Sequence, residues 1–530
     1  MVSRLTYFSL IFMAIFFQDG SYEHLGVPQL ASALHTPSTS SLQYLASGSD
    51  IRGAFTLKSP GLTPGAAYRL GEALAETIAS SSSSSPPSSP PSSPPPTIML
   101  GRDPRPHGTI LAKAFARGAS SAGAVLISTG LATTPAMFHA VRTGAASAGV
   151  MITASHLPPD KNGFKVFLKA SEGGPAEPLS KEQRDAFLEL ASTYPEPDLP
   201  VALMGGRADA TDELEEVDFM KTYVSSLVEV VEAKVGTLSG LKLLVNPGCG
   251  SGGVLCEVLE KCGADVTSSI NVEPDGTFPF GVPNPESKSM AFRTVSACSD
   301  HGDVDLGIML DTGETLVLKV VLKANMHHRI SCTECRRAPP SHRIASFVAD
   351  ADRVGFVAKR EGGAYETVNR NRFVALMSCI AQSGSAPGGS KMTVVADSVI
   401  SSGLEEFVES IGANIVRYKK GYMNVINEAR RLKASGLNAA LAIETSGHSA
   451  FADNGWLDDG TYSAVLACCE VKRRKVAGED GIMAMIAQMR ESGFEEELRM
   501  NLCDPKGSAT SLFPDVESLV SSGSMGRWRL

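Results

Sequence analysis

The chain has 530 residues, with 48 Lys or Arg against 57 Asp or Glu and a net charge of −9. At about 100–200 residues per domain, that length predicts about three to five domains. A 43% apolar content excludes wholesale disorder, and the acidic balance argues against a nucleic-acid partner, which needs a basic face. Residues 1–40 read as a leader. In them Leu5–Phe17 is an apolar run behind Arg4 that fits a signal-peptide core, a misassigned start or a short buried segment. No later stretch approaches 18 apolar residues without a charge, so a stable membrane span is not expected. Ten sparse, irregularly spaced cysteines suggest reduced thiols and an intracellular location, cytoplasm or plastid, with a secretory signal left open.

From Ser80 to Thr97 the sequence is Ser/Pro only until its last residue; proline removes backbone donors and serine offers no apolar surface to a core, so it reads as an exposed loop inside a domain. Short apolar runs follow at Ile98–Gly101, Ala124–Ser128, Gly149–Thr153, Leu241–Val245, Met392–Ala396, Asn414–Tyr418 and Ala439–Ile443. They alternate with helical periods of about 10–15 residues, the pattern of an α/β protein with mixed or mainly parallel sheets. Asn246–Gly253 (NPGCGSGG) lacks the spacing of a dinucleotide fingerprint and reads as a tight strand-to-helix turn. Met483–Met489 reads as helical.

The chemistry concentrates after Gly149–Thr153. Ser155 and His156 stand at a strand end with Lys165 ten residues on, a setting that suits an activated nucleophile or phosphoryl carrier. The full string GVMITASHLPPDKNGFK resembles the phosphoserine loop of the α-D-phosphohexomutases, the phosphoglucomutase/phosphomannomutase superfamily. Further motifs resemble that family in its own order. They are Ser49–Gly53 (SDIRG), Gly101–Gly108 (GRDPRPHG), NPGCGSGG with Pro283–Glu286, and Glu444–His448 (ETSGH), whose continuation through Trp456–Gly460 is similar to a plant and algal branch.

The resemblance implies three consecutive α/β domains with mixed sheets: residues 41–220 with the serine, 221–374 with a metal loop and 375–488 with a sugar loop. A truncated fourth domain is expected over 489–530, where no Arg-x-Ser-x-Thr-like loop for a distal phosphate is found. It also implies interconversion of hexose 1-phosphate and hexose 6-phosphate through phosphorylated Ser155 and a hexose bisphosphate. Arg52 and Arg353 would stabilise phosphoryl charge, His156 and Lys165 would assist positioning and proton transfer, and Glu444, Ser446 and His448 would bind the sugar. Magnesium would be held by Ser155, Asp311, Asp350 and Asp352, oxygen ligands of the kind it favours. A catalytically impaired sugar-phosphate binder and a phosphoglucosamine-type mutase are the alternatives.

The aspartates are not contiguous. Joining Asp305–Thr312 to Asp350 would place Asp311, Asp350, Asp352 and Arg353 in register, and the 37 residues 313–349 between them carry six Lys or Arg against two Glu. Three readings stand: a retained intron, a real insertion looping out of the site, or a zinc module built on His327, His328, Cys332, Cys335 and His342.

Overall fold

The computed structural model describes residues 41–82, 95–155, 157–169, 176–197, 199, 215–280, 288–310, 350–368, 370–383 and 390–490. The expected zinc ligands, His156, Asp311 and residues 491–530 lie outside them. Among the described residues three β-sheets follow one another along the chain, each flanked by helices.

The first sheet has eight strands in the order β1-β2-β6-β5-β3-β4-β8, with β7 paired to β6. The strands are β1 (Ala46–Ser47), β2 (Asp50–Ala54), β3 (Thr97–Arg102), β4 (Val125–Leu131), β5 (Ala148–Ile152), β6 (Lys161–Lys169), β7 (Ala176–Pro178) and β8 (Glu215–Glu216). Its centre is parallel: β3 lies between β4 and β5, and all five residues of β5 are buried. A strand covered on both faces has no polar side to show, hence the unbroken Ala-Gly-Val-Met-Ile. Antiparallel β6 and β2 then extend the sheet beyond β5. The helices are α1 (Pro64–Ser82), α2 (Gly108–Ser121), α3 (Thr134–Arg142) and α4 (Lys181–Thr193). Ser180 and Gln183 begin α4 with a reciprocal capping box, and Thr133 caps α3 just ahead of Pro135. Helix α1 continues through Ser80–Ser82, so the Ser/Pro tract starts as helix; elongating a formed helix by a few serines is cheap, and proline follows only later.

The second sheet, β12-β11-β10-β9, contains β9 (Leu243–Asn246), β10 (Leu306–Leu310), β11 (Val354–Lys359) and β12 (Tyr365–Val368). Helices α5 (Phe219–Val235), α6 (Val254–Lys261) and α7 (Lys288–His301) accompany it, and NPGCGSGG turns from β9 into α6 as its glycines suggest. Strands β10 and β11 pair antiparallel with Leu310 opposite Val354. The chain on either side of residues 311–349 therefore meets in one hairpin.

The third sheet, β14-β13-β15-β16, comprises β13 (Thr393–Ala396), β14 (Asn414–Arg417), β15 (Ala439–Ile443) and β16 (Ser449–Phe451). Its helices are α8 (Asn371–Ser383), α9 (Ser402–Ser410), α10 (Tyr422–Ala434) and α11 (Gly460–Ala477), followed by one turn, α12 (Ile482–Met485). The expected Met483–Met489 helix is only that long: Ile486 leaves helical geometry and a turn returns the Met489 N–H to the Ile486 carbonyl. All three sheets are mixed, as expected.

Helix α11 ties the domains together. Its residues Gly460–Val471 are all buried, and the small residues among them (Gly460, Ser463, Ala464, Ala467, Cys468) let neighbouring elements approach closely. Val465, Leu466 and Cys468 share one hydrophobic core with Leu227 of α5, Ile308 of β10 and Met137 of α3. A Cβ on Gly460 would lie 2.5 Å from the carbonyl of Arg353, so the helix start is a backing surface for the chain entering β11.

Candidate active site

Parallel strands β3, β4 and β5 bring their carboxyl ends to one edge of the first sheet, the usual place for a ligand on an α/β sheet. Ser155 follows β5 there with φ +50°, a conformation that costs a non-glycine residue about 1–3 kcal/mol and must be held by its surroundings. The Ser155 N–H donates to Thr153 Oγ1 (2.9 Å), whose hydroxyl donates to Asp103 Oδ2 (2.8 Å). Arg105 donates from Nη2 to the Ser155 carbonyl (2.8 Å), from Nη1 to the carbonyls of Pro158 and Lys161 (2.7 and 3.1 Å), and from Nε to Asp103 (3.0 Å). Sequence reading passed over Asp103 and Arg105. Their signal was available: GRDPRPHG leaves the strand next to β5.

Lys165 lies on β6 opposite Met151 and is 4% exposed. Its Nζ is 2.5 Å from Asp352 Oδ2 and 2.9 Å from Asp350 Oδ2, joining the first sheet to the aspartate loop of the second. Burial works against the Lys165 ammonium, but Asp350, Asp352 and Asp50 outweigh it and raise its pKa well above the usual lysine value. For Asp352 burial likewise opposes the charge, while Lys165, His448 and Arg353 overcome it and hold the carboxyl far below the usual range. Asp350 also accepts from Thr134 Oγ1 (2.5 Å), and its carbonyl accepts from the Thr134 N–H (2.9 Å), so the first turn of α3 docks on the same loop. Arg52, on β2, pairs with Asp50 at 2.5 Å.

The expected sugar loop turns between β15 and β16. Glu444 accepts from the Gly421 N–H (2.6 Å) and from Ser446 Oγ (3.2 Å), and Gly447 takes φ +101° with its carbonyl accepting the Val354 N–H (3.1 Å). His448 bridges the backbone of Arg353, and its Nδ1 lies 2.6 Å from Asp458 Oδ2. Burial disfavours the imidazolium, yet Asp458 and Asp352 prevail and raise the His448 pKa. Tyr422, the first residue of α10, stacks its ring on His448 at 5.2 Å between centroids. Asp458 lies in the Trp456–Gly460 motif but has no role assigned from sequence, and Tyr422 does not stand out there.

Carboxylate oxygens fit a hard divalent cation. Asp352 Oδ1 is buried and accepts no hydrogen bond, with Arg353 Nε 3.8 Å away. Its carboxylate also lies close to His448 and Asp458, a cluster that is distinct from the expected ligands Ser155, Asp311 and Asp350. A desolvated carboxylate needs positive charge beside it, which Lys165 and Arg353 supply here and which a bound divalent cation would also supply.

Three family descriptions match the chain: phosphoglucomutase/phosphomannomutase alpha/beta/alpha domain I over residues 45–186, domain II over 221–314 and domain III over 369–489. A phosphoglucosamine mutase of Solibacter usitatus is 29% identical over 394 residues, covering 73% of this chain and 72% of that protein. A phosphomannomutase/phosphoglucomutase of Pseudomonas putida is 26% identical over 70% of this chain and 64% of its own length. For a Neisseria meningitidis phosphoglucomutase the figures are 30%, 52% and 52%. The chain thus spans less than two-thirds of the latter two relatives. In fold it is similar to a phosphoglucomutase/phosphomannomutase family protein of Burkholderia thailandensis (TM-score 0.56, 19% identity, 85% of this chain and 80% of that one). It is similar also to the phosphoglucomutase parafusin of Paramecium (TM-score 0.57, 15% identity, 84% and 74%). Among the described residues no helix is long and apolar enough to cross a membrane.

Proposed function

We infer the activity from one premise: the chain belongs to the α-D-phosphohexomutase superfamily, whose three phosphoglucomutase/phosphomannomutase α/β/α domains it contains. On that premise it interconverts hexose 1-phosphate and hexose 6-phosphate, with Ser155 as phosphoryl carrier. The observation that carries this reading is the Lys165 ion pair with Asp350 and Asp352, which brings the strand pair behind Ser155 against the aspartate loop.

The chemistry is symmetrical. The Ser155 Oγ–P bond breaks as a sugar hydroxyl oxygen bonds to phosphorus and gives up its proton, leaving serine and a hexose bisphosphate. The bisphosphate turns over, and its other phosphoryl group returns to Ser155 as the sugar oxygen takes a proton. Such transfers are governed by positioning and by stabilising charge on the phosphoryl oxygens. Arg52 and Arg353 would supply that charge, and Glu444, Ser446 and His448 would bind sugar hydroxyls. His448, held as a donor by Asp458, suits a sugar or phosphate oxygen. Lys165 serves first as a fixed positive charge; it can take a proton only when its ion pairs with Asp350 and Asp352 are released. Magnesium, when bound by Ser155, Asp350, Asp352 and Asp311, would neutralise phosphoryl charge.

Glucose and mannose phosphates are the proposed substrates. The glucosamine phosphate reading draws its support from the Solibacter relative. Ser155→Ala should abolish conversion of hexose 1-phosphate to 6-phosphate; retained activity in that variant overturns the assignment.

A further inference from the structure

Ser49 and Tyr422 are 373 residues apart, yet Ser49 Oγ and Tyr422 Oη share a 3.1 Å hydrogen bond. Ser49 immediately precedes β2, the strand that carries Asp50 and Arg52 on the first domain. Tyr422 opens α10 on the third domain, directly after Gly421, whose N–H binds Glu444. The Tyr422 ring stacks on the His448 imidazole, with the rings 20° from parallel. One phenol therefore touches, with its oxygen, the residue that leads into the strand bearing the expected phosphate-binding arginine, and with its ring the expected sugar-binding histidine. In the bond to Ser49 either oxygen can be the donor.

We propose that Tyr422 and Ser49 form an interdomain clasp that sets the distance between the phosphoryl donor and the sugar loop. This rests on the phosphohexomutase reading, since only a transfer between those two halves needs the distance fixed. Phosphoryl transfer demands placement within about half an ångström, and the two halves are carried on separate sheets. Tyr422 is on this account a positioning residue: it acts on the reaction through Ser49 and His448.

The experiment is a double-mutant cycle with Tyr422→Phe and Ser49→Ala in the full chain, measured with hexose 1-phosphate. Tyr422→Phe keeps the stacked ring and deletes only the hydroxyl. Each single variant should lower kcat roughly three- to tenfold, the scale of one hydrogen bond, with KM changed by less than about twofold. The double variant should be no worse than the poorer single one, and Ser49→Thr, which keeps the hydroxyl, should retain most of kcat. Losses that multiply in the double variant, a loss confined to KM, or a Ser49→Thr enzyme as poor as Ser49→Ala each overturn the clasp. The same cycle is read in thermal midpoints, independently of turnover. If the unaltered chain converts no sugar phosphate, the activity assignment fails, and the midpoints decide the clasp: coupled shifts uphold it and additive shifts refute it.

Discussion

Replacing Lys165 by Met removes the charge that two buried aspartates share while keeping the length and apolar stem of the side chain. At 2.5 and 2.9 Å, and an effective dielectric constant of about 20, each contact has a gross Coulomb attraction of about 6 kcal/mol. Most of that offsets the desolvation of the three ions. The net cost of deleting one partner of a buried pair is about 3–5 kcal/mol, chiefly from the stranded charges. At about 2–4 °C per kcal/mol for a domain of this size, the unfolding midpoint should fall by roughly 6–20 °C. Millimolar magnesium should then restore more stability to the variant than it adds to the wild type, because the aspartates no longer have a competing ammonium. Differential scanning fluorimetry with and without magnesium measures both effects. An unchanged midpoint, or a variant whose midpoint ignores magnesium, would refute the reasoning that Asp350 and Asp352 form a cation site closed by Lys165.

Three further perturbations follow from the packing. Gly460→Ala improves helix propensity but places a methyl 2.5 Å from the Arg353 backbone; it should cost about 1–3 kcal/mol and lower kcat about ten- to a hundredfold by displacing the aspartate loop, as melting and turnover assays will show. His139 is buried, and first burial and then Arg142 push its pKa down to about 4, so the folded chain loses about 3 kcal/mol as pH falls from about 6.5 through 4. The midpoint gap between wild type and His139→Gln should therefore shrink between pH 7 and pH 4.5. Deleting Gly313–Ala349 leaves six residues between paired Leu310 and Val354, a feasible hairpin connection, and should preserve the circular dichroism spectrum and not lower turnover.

Parts of this architecture are readable without coordinates because their causes are local. β15 runs over Ala439–Ile443, as its apolar run indicates, and β5 is displaced by one residue from Gly149–Thr153. Strand β6 is different. Lys161–Lys169 contains Lys165, Asn162 and Gly163, all buried, and chiefly the distant Asp350 and Asp352, with Asp50, make a lysine tolerable there. A pattern of hydrophobic residues cannot show that. The same limit hides Arg105, which stays in the interior because three carbonyls and Asp103 surround it. It hides the role of Asp458, which falls in a named motif but pairs with His448 across a turn. Hairpin β10–β11 is interrupted by 43 residues in sequence; the aspartate register already suggests joining the two sides, and Leu310 pairs with Val354 across the interruption.

Phosphate transfer to Ser155 is the most direct measurement. Incubating the chain with hexose 1,6-bisphosphate, digesting it and mapping phosphopeptides should place one phosphoryl group on Ser155, and added hexose monophosphate should remove it. A folded chain that acquires phosphate elsewhere, or that keeps the Ser155 phosphate in the presence of every hexose monophosphate, would contradict the account.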